Sequence, residues 1–125
     1  MSEVKKSVWE LVADELIKNG IKTYPPATKI KQCTEPYVVL KLGGAYRVKT
    51  YSTQREYYQI LLYVPKNQYS KMADFEERVR RVLDNPPLFP MIMPSGQTEN
   101  DFFDDNIDAH LRIIIYYNYK RNRHL

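Results

Sequence analysis

The stretch from Asn85 to Asp108, NPPLFPMIMPSGQTENDFFDDNID, constrains this chain more than any other. Four of the eight prolines fall in it, followed by five acids (Glu99, Asp101, Asp104, Asp105, Asp108) with no Lys or Arg. Asn85-Pro86-Pro87 ends any helix that arrives there, because proline lacks the N–H and clashes with the preceding turn. The stretch reads as a long insertion, with room for one short strand near 89–93, ahead of a final strand. Compact domains rarely hold an irregular segment this long unless it binds or assembles something.

The rest of the chain reads as an ordinary α/β scaffold. Ser7-Val8-Trp9-Glu10 matches a capping box, and Val8, Leu11, Val12 and Leu16 repeat at helical spacing. A helix over about 3–19 is expected, ended by Gly20 as a left-handed cap. Tyr37 to Leu42 is β-rich and apolar on both sides, Gly43-Gly44 is a hairpin signal, and Tyr46 to Tyr51 returns. That hairpin would set Val39 against Val48 and Lys41 against Tyr46. A third strand spans about Glu56–Val64. A second helix spans about Lys71–Leu83, with Ser70 as its N-cap and Met72, Phe75, Val79, Val82 and Leu83 as its stripe. Its other side, Glu76, Glu77, Arg78, Arg80 and Arg81, reads as a solvated face. The last strand is His110–Tyr119. The expected fold is α+β: an antiparallel four- to five-stranded sheet with two helices on one face and the insertion before the last strand. One domain over 1–125 is expected, with a frayed tail at about 120–125.

Charge is more informative by position than by sum. The net value is +4, but between Lys18 and Lys49 seven bases face a single acid, Glu35. A basic zone beside an acidic one suits oriented, charge-complementary association. In one such contact, the basic stretch Lys18–Lys49, which includes Lys29 and Lys31, would meet the acidic insertion of a second copy, with Asp101, Asp104, Asp105 and Asp108. Cys33 is the one cysteine, so no internal disulfide is expected, which suits a reducing cytoplasm. No apolar run approaches the roughly 20 residues of a membrane span, and the start, MSEVKKSVWELVADE, does not read as a signal peptide.

The sheet's second face supplies the next clue. Tyr58, Ile60, Leu62 and Val64 make one apolar side that should meet the helices, leaving Tyr57, Gln59, Leu61 and Tyr63 opposite. In the last strand Leu111, Ile113, Ile115, Tyr117 and Tyr119 are expected inward, and Arg112, Ile114, Tyr116 and Asn118 outward. Tyrosine and arginine among aliphatics is the composition of a protein–protein interface core, and the chain has 11 tyrosines. The expected subunit or partner interface is therefore Tyr57, Tyr63, Arg112 and Tyr116, together with the four aspartates and Lys29 and Lys31.

Signs of chemistry are sparse. The aspartate spacing is not that of a calcium loop, and the two histidines, His110 and His124, form no zinc motif. Lys29 and Lys31 would depress the Cys33 thiol if they lay beside it. No phosphate-binding glycine motif occurs. Neither an enzymatic role nor a cofactor or metal is expected. Stacking of single-stranded bases on Tyr57, Tyr63 and Tyr116 would suit a nucleic-acid-binding or adaptor domain, but the usual Gly and Phe signature is missing.

Nearly the whole chain resembles the tail-terminator, or tail-completion, proteins of long-tailed bacteriophages and related tail-like particles. The resemblance runs through an opening amphipathic helix, IKTYPP (Ile21–Pro26), and the block EPYVVLKLGGAYRVKTYSTQREYYQILLYVPKN (Glu35–Asn67). It continues through SKMADFEERVRRVLDN (Ser70–Asn85) and an acidic loop feeding IIIYYNY (Ile113–Tyr119). It implies a structural virion protein without catalysis. Such a protein forms a homo-oligomeric ring, typically hexameric, on the finished tail tube. The ring ends polymerisation and offers the head–tail joining surface. The implied partners are the chain itself, the tail tube protein and the head–tail connector, with DNA only as passing cargo and no membrane. The implied place is the head-proximal end of the virion tail, after assembly in the host cytoplasm.

Overall fold

Two long segments, Thr53–Pro65 and Ala109–Arg121, are dense in Tyr, Ile, Leu and Val, the residues that fit a pleated, half-buried surface. In the computed structural model, which describes residues 8–24, 33–41, 47–49, 53–98 and 101–121, they are strands β4 and β7. They pair antiparallel without interruption, from Thr53 opposite Arg121 to Pro65 opposite Ala109. The other elements are α1 (Val8–Lys18), β1 (Thr23–Tyr24), β2 (Tyr37–Lys41), β3 (Arg47–Lys49), α2 (Met72–Leu83), β5 (Met93–Thr98) and β6 (Phe102–Asp104). A 3-10 helix, Lys66–Lys71, leads into α2.

Each outer edge of the β4–β7 ribbon is covered by two short strands in series. On the β4 side β2 pairs with Gln59–Tyr63, and β3 pairs with Gln54–Glu56, running in the same direction. On the β7 side β5 and β6 follow one another along Tyr117 to Ala109. The sheet has seven strands and is mixed, because β1 joins β2 in parallel. The architecture is α+β as expected, but the sheet is not purely antiparallel. Gly43-Gly44 lies outside the described residues. Tyr46, expected against Lys41, lies there too, and the expected pairing of Val39 with Val48 does not form. Val39 pairs with Leu61 instead, and Val48 with Arg55, because β4 is long enough to take β2 and β3 end to end.

Helix boundaries follow local chemistry. Gly20 sits at φ +79°, its N–H bonds the Ile17 carbonyl at 3.0 Å, and the Ile21 N–H bonds the Leu16 carbonyl at 3.0 Å. This is the Schellman pattern, and buried Leu16 and Ile21 supply the apolar contact that goes with it. The expected cap at Ser7 lies outside the described residues. Ser70 does not cap α2: it lies inside the 3-10 helix, so no extended cap residue precedes Met72. At the other end, the Asn85 side-chain amide donates to the Arg81 carbonyl at 2.6 Å.

Both helices pack on one face of the sheet. Val12 and Leu16 from α1 and Met72, Phe75, Val79 and Leu83 from α2 meet Val38, Leu40, Ile60, Leu62, Val64, Ile114 and Tyr116. Leu11, placed in the apolar stripe by its spacing, is instead exposed; Trp9 and Ala13 pack against the core. The proline-rich segment is not a free insertion. Leu88 and Ile92 are 2% and 1% exposed in the main core, and β5 and β6 belong to the sheet. Pro94 is tolerated because β5 is an edge strand. The four steps from Pro94 to Thr98 span only two steps of β7, a bulge containing Gly96 at φ +81°.

The last strand faces the opposite way from the expectation. Register sets Ile114 beside Ile60 and Tyr116 beside Tyr58, so Arg112, Ile114, Tyr116 and Asn118 look toward the helices. Ile114 and Tyr116 are fully buried, and Asn118 is 5% exposed. Leu111, Ile113, Ile115 and Tyr117 share the other face with Tyr57, Leu61 and Tyr63. The run Ile113-Ile114-Ile115 puts isoleucine on both faces, so hydropathy alone cannot orient it. β7 also extends to Arg121, into the segment expected to fray.

The facing of β7 is open to a direct check. Ile114→Ala removes methyl groups from a fully buried site and is expected to cost about 2–5 kcal/mol. Ile113→Ala, on the open face, is expected to cost about 1 kcal/mol. Urea midpoints of the two variants measure this; equal losses, or the reverse order, would contradict the register.

Candidate assembly interface

Alternation along four strands builds the open face. β1 contributes Tyr24, β2 Tyr37, Val39 and Lys41, β4 Tyr57, Gln59, Leu61 and Tyr63, and β7 Leu111, Ile113, Ile115 and Tyr117. Cross-strand partners touch. Tyr37 and Tyr63 stack with centroids 4.9 Å apart, Tyr24 meets Tyr37 edge-on at 5.3 Å, and Tyr57 lies 5.8 Å from Tyr117. Neither helix covers this face, since both pack on its reverse. Val39, Leu61, Tyr63, Leu111, Ile113 and Tyr117 remain half-buried. A sheet face exposed only to water would alternate in more polar residues.

One end of the face is sealed. Cys33 and Ile107 pack with Tyr24, Tyr37, Val39, Tyr63 and Ala109 in a second apolar cluster. The Cys33 N–H donates to the Ile107 carbonyl at 2.8 Å and ties the two segments together. Burial pushes the Cys33 thiol above its ordinary value, so no activated nucleophile is built here. The Tyr37 hydroxyl is buried without a hydrogen-bond partner among the described residues, and burial raises its pKa.

On the helix side the sheet carries a charged network instead of a plain apolar layer. Arg112 grips Asp101 with two bonds, Nε to Oδ1 at 2.6 Å and Nη2 to Oδ2 at 2.8 Å. Its Nη1 donates to Glu76 on α2 at 2.9 Å. Glu76 also accepts from Arg80 Nε at 2.8 Å, and Arg80 Nη1 donates to the Tyr116 hydroxyl at 3.2 Å. Tyr116 donates in turn to Asp84 at 2.7 Å. Tyr69 donates to Asp101, completing the clasp. Bidentate guanidinium–carboxylate pairs are the stronger, geometry-specific kind. The Arg112 bonds hold the Asp101 carboxyl below its ordinary value. Burial acts to raise Glu76, but its bonds from Arg80 and Arg112 outweigh that and lower it. Burial raises the Tyr116 hydroxyl, and the bond to Asp84 adds to it.

The residues expected at an interface therefore divide into separate groups. Tyr57 and Tyr63 lie on the open face, Tyr63 half-buried but Tyr57 buried, as are Tyr37 and Ile115 beside them. Arg112 and Tyr116 do not: register turns them toward α2, where Glu76 and Asp84 satisfy them. Asp101 is an internal partner of Arg112, not an acid free to meet a neighbour. Asp104 accepts the Asn106 N–H at 3.0 Å and shapes a turn. Asp105 is exposed. Asp108 sits at φ +49°, and its carbonyl accepts the Lys66 N–H at 3.0 Å. Lys29 and Lys31 lie outside the described residues. Among the described residues, no group of three or more His, Cys, Asp or Glu is arranged to hold a metal ion, and no helix is long and apolar enough to cross a membrane. Glu76 and Arg80 are not simply solvated, contrary to the expectation for that helix side.

Sequence reasoning missed Leu111, Ile113, Ile115 and Tyr117 as open-face residues. The available signal was Arg112, which needs a carboxylate within reach; Glu76 and Asp101 supply it only if Arg112 lies on the helix side. The sequence matches no known protein family and no curated protein.

The clasp has a pH signature. A carboxyl depressed by folding contributes stability above its unfolded value, about 4, and loses it as pH falls through the lower folded value. Denaturation midpoints taken from about pH 6 to pH 2.5 are expected to fall more steeply for the wild type than for Asp101→Asn. At pH 6, Arg112→Ala is expected to cost about 2 kcal/mol, the scale of hydrogen bonds to charged groups. Parallel pH curves for the wild type and Asp101→Asn would contradict the clasp.

Proposed function

We propose that the chain is a structural assembly protein that forms a ring on the end of a phage-type tail tube. In this role it stops tube polymerisation and offers the surface that joins tail to head. The observation that carries this reading is the open sheet face, with five tyrosines and a band of Val, Leu and Ile left without a helix over it. Apolar, tyrosine-rich patches of this kind mark protein–protein contact. The likeness in order and character to tail-terminator proteins supplies the particular role. In this account the open face seats the ring on the tube protein, and the head–tail connector meets the completed ring. DNA passes through the ring as cargo without being read.

A nucleic-acid adaptor is less well supported. The charges described on the open face include Lys41, and Lys22 tied to Glu35, against Asp104. Phosphate binding draws its affinity from several unpaired cations acting together. Tyr116, one of the three tyrosines suited to stacking bases, is buried on the other side.

The test uses Leu61→Lys with Ile113→Lys, two half-buried substitutions on the open face. Added to polymerising tube subunits of the parent particle, the wild-type chain is expected to bind tube ends and shorten the tubes. The double variant is expected to lose end binding while still folding cooperatively, at a stability cost of about 2–3 kcal/mol for the two lost apolar contacts and the facing like charges. Tubes of unchanged length with the wild type, or full capping by the variant, would sink the proposal.

A further inference from the structure

We infer that a second copy of this chain docks edge to edge, the β5–β6 border of one copy against the β1–β3 border of the next. The inference rests on the ring reading and names the contact that closes the ring, leaving the open face to the tube.

Strand order sets β1 and β3 on one border of the sheet and β5 and β6 on the other. Among the described residues, β6 has β7 on one side and no strand beyond it. An edge strand presents backbone N–H and C=O groups that another chain can pair. Proteins usually blunt such an edge with charge or a covering loop, but β6 carries two large aromatics. Phe102 is 46% exposed and Phe103 is 44% exposed. They fall on opposite faces, Phe102 beside Leu111 and Phe103 beside His110. Phe103 is braced by the His110 ring at 5.0 Å, and His110 by Tyr69 at 4.5 Å. Rigid, half-exposed aromatics flanking a free edge are the anchors an incoming strand needs.

Charge decides what comes in. Asp104 and Asp105 close the β6 border. By strand membership the far border takes Arg47, the register partner of Glu56, and Lys49 in β3, with Lys18 and the Glu35-paired Lys22 just ahead of β1. Two β6 borders would repel one another, and so would two β3 borders. Opposite borders attract. The contact is therefore heterologous, running the same way from copy to copy, and such contacts close into rings when the rotation fits.

Two variants separate the borders: Phe102→Lys with Asp105→Lys on one side, and Arg47→Ser with Lys49→Ser on the other. Native mass spectrometry would compare them with the wild type at a concentration where the wild type is assembled. Each variant alone is expected to lose every species above the monomer. Their equimolar mixture is expected to give one-to-one dimers and nothing larger, because each keeps one working border. Variants that both assemble like the wild type, or a mixture without dimers, would overturn the edge contact while leaving the ring standing. A wild-type chain that stays monomeric at every concentration, with and without tube ends, would overturn both.

Discussion

The uninterrupted antiparallel pairing of β4 with β7 is the constraint on which the rest of this molecule depends. Side chains alternate with period two, so this one register sorts every residue of both strands onto a helix-covered face or an open face. It also provides two long edges. β2 and β3 fill one in series, β5 and β6 the other, which makes a seven-stranded sheet from a chain of modest length. A slip by one residue would bury Ile113 and Ile115 under the helices and expel Ile114 and Tyr116.

Hydropathy offers little defence against that slip, because Ile113-Ile114-Ile115 suits either face. Polar contacts distinguish the two. With Arg112 toward α2, its guanidinium finds Glu76 and Asp101; with Tyr116 there, its hydroxyl finds Asp84. In the slipped register a guanidinium would leave two carboxylates behind in a partly buried site, a costly arrangement. The network thus specifies which way β7 faces, while the burial of Ile60, Leu62, Val64 and Ile114 provides the larger share of stability. Because Asp101 is part of this network, β6 is held beside the helix layer and its two phenylalanines are presented in fixed positions.

Much of this was legible in the sequence. The α2 stripe, the Gly20 cap and the inward face of β4 follow from helical and strand periodicity, and all three hold. The facing of β7 was not legible, because it depends on a long-range ion pair with Glu76. Nor was the serial placement of β2 and β3. Gly43-Gly44 signals a local turn, whereas pairing along β4 depends on the length of a strand that comes later in the chain. The segment 85–98 reads as a loop because prolines dominate its first half. Yet Leu88 and Ile92 anchor it in the core, and Pro94 suits an edge strand that need not donate on its outer side. Tyrosine content pointed to the open face of β4, where Tyr57 and Tyr63 lie, but placed Arg112 and Tyr116 of β7 on that face, whereas register turns them toward the helices.

Mass in solution, measured by light scattering behind a sizing column across concentration and at low and moderate salt, tests the central claim most directly. The account predicts a discrete ring-sized species, or a monomer that converts to one as concentration rises, weakened by salt as charged borders are screened. A monomer under every condition, even with tube ends supplied, would contradict it.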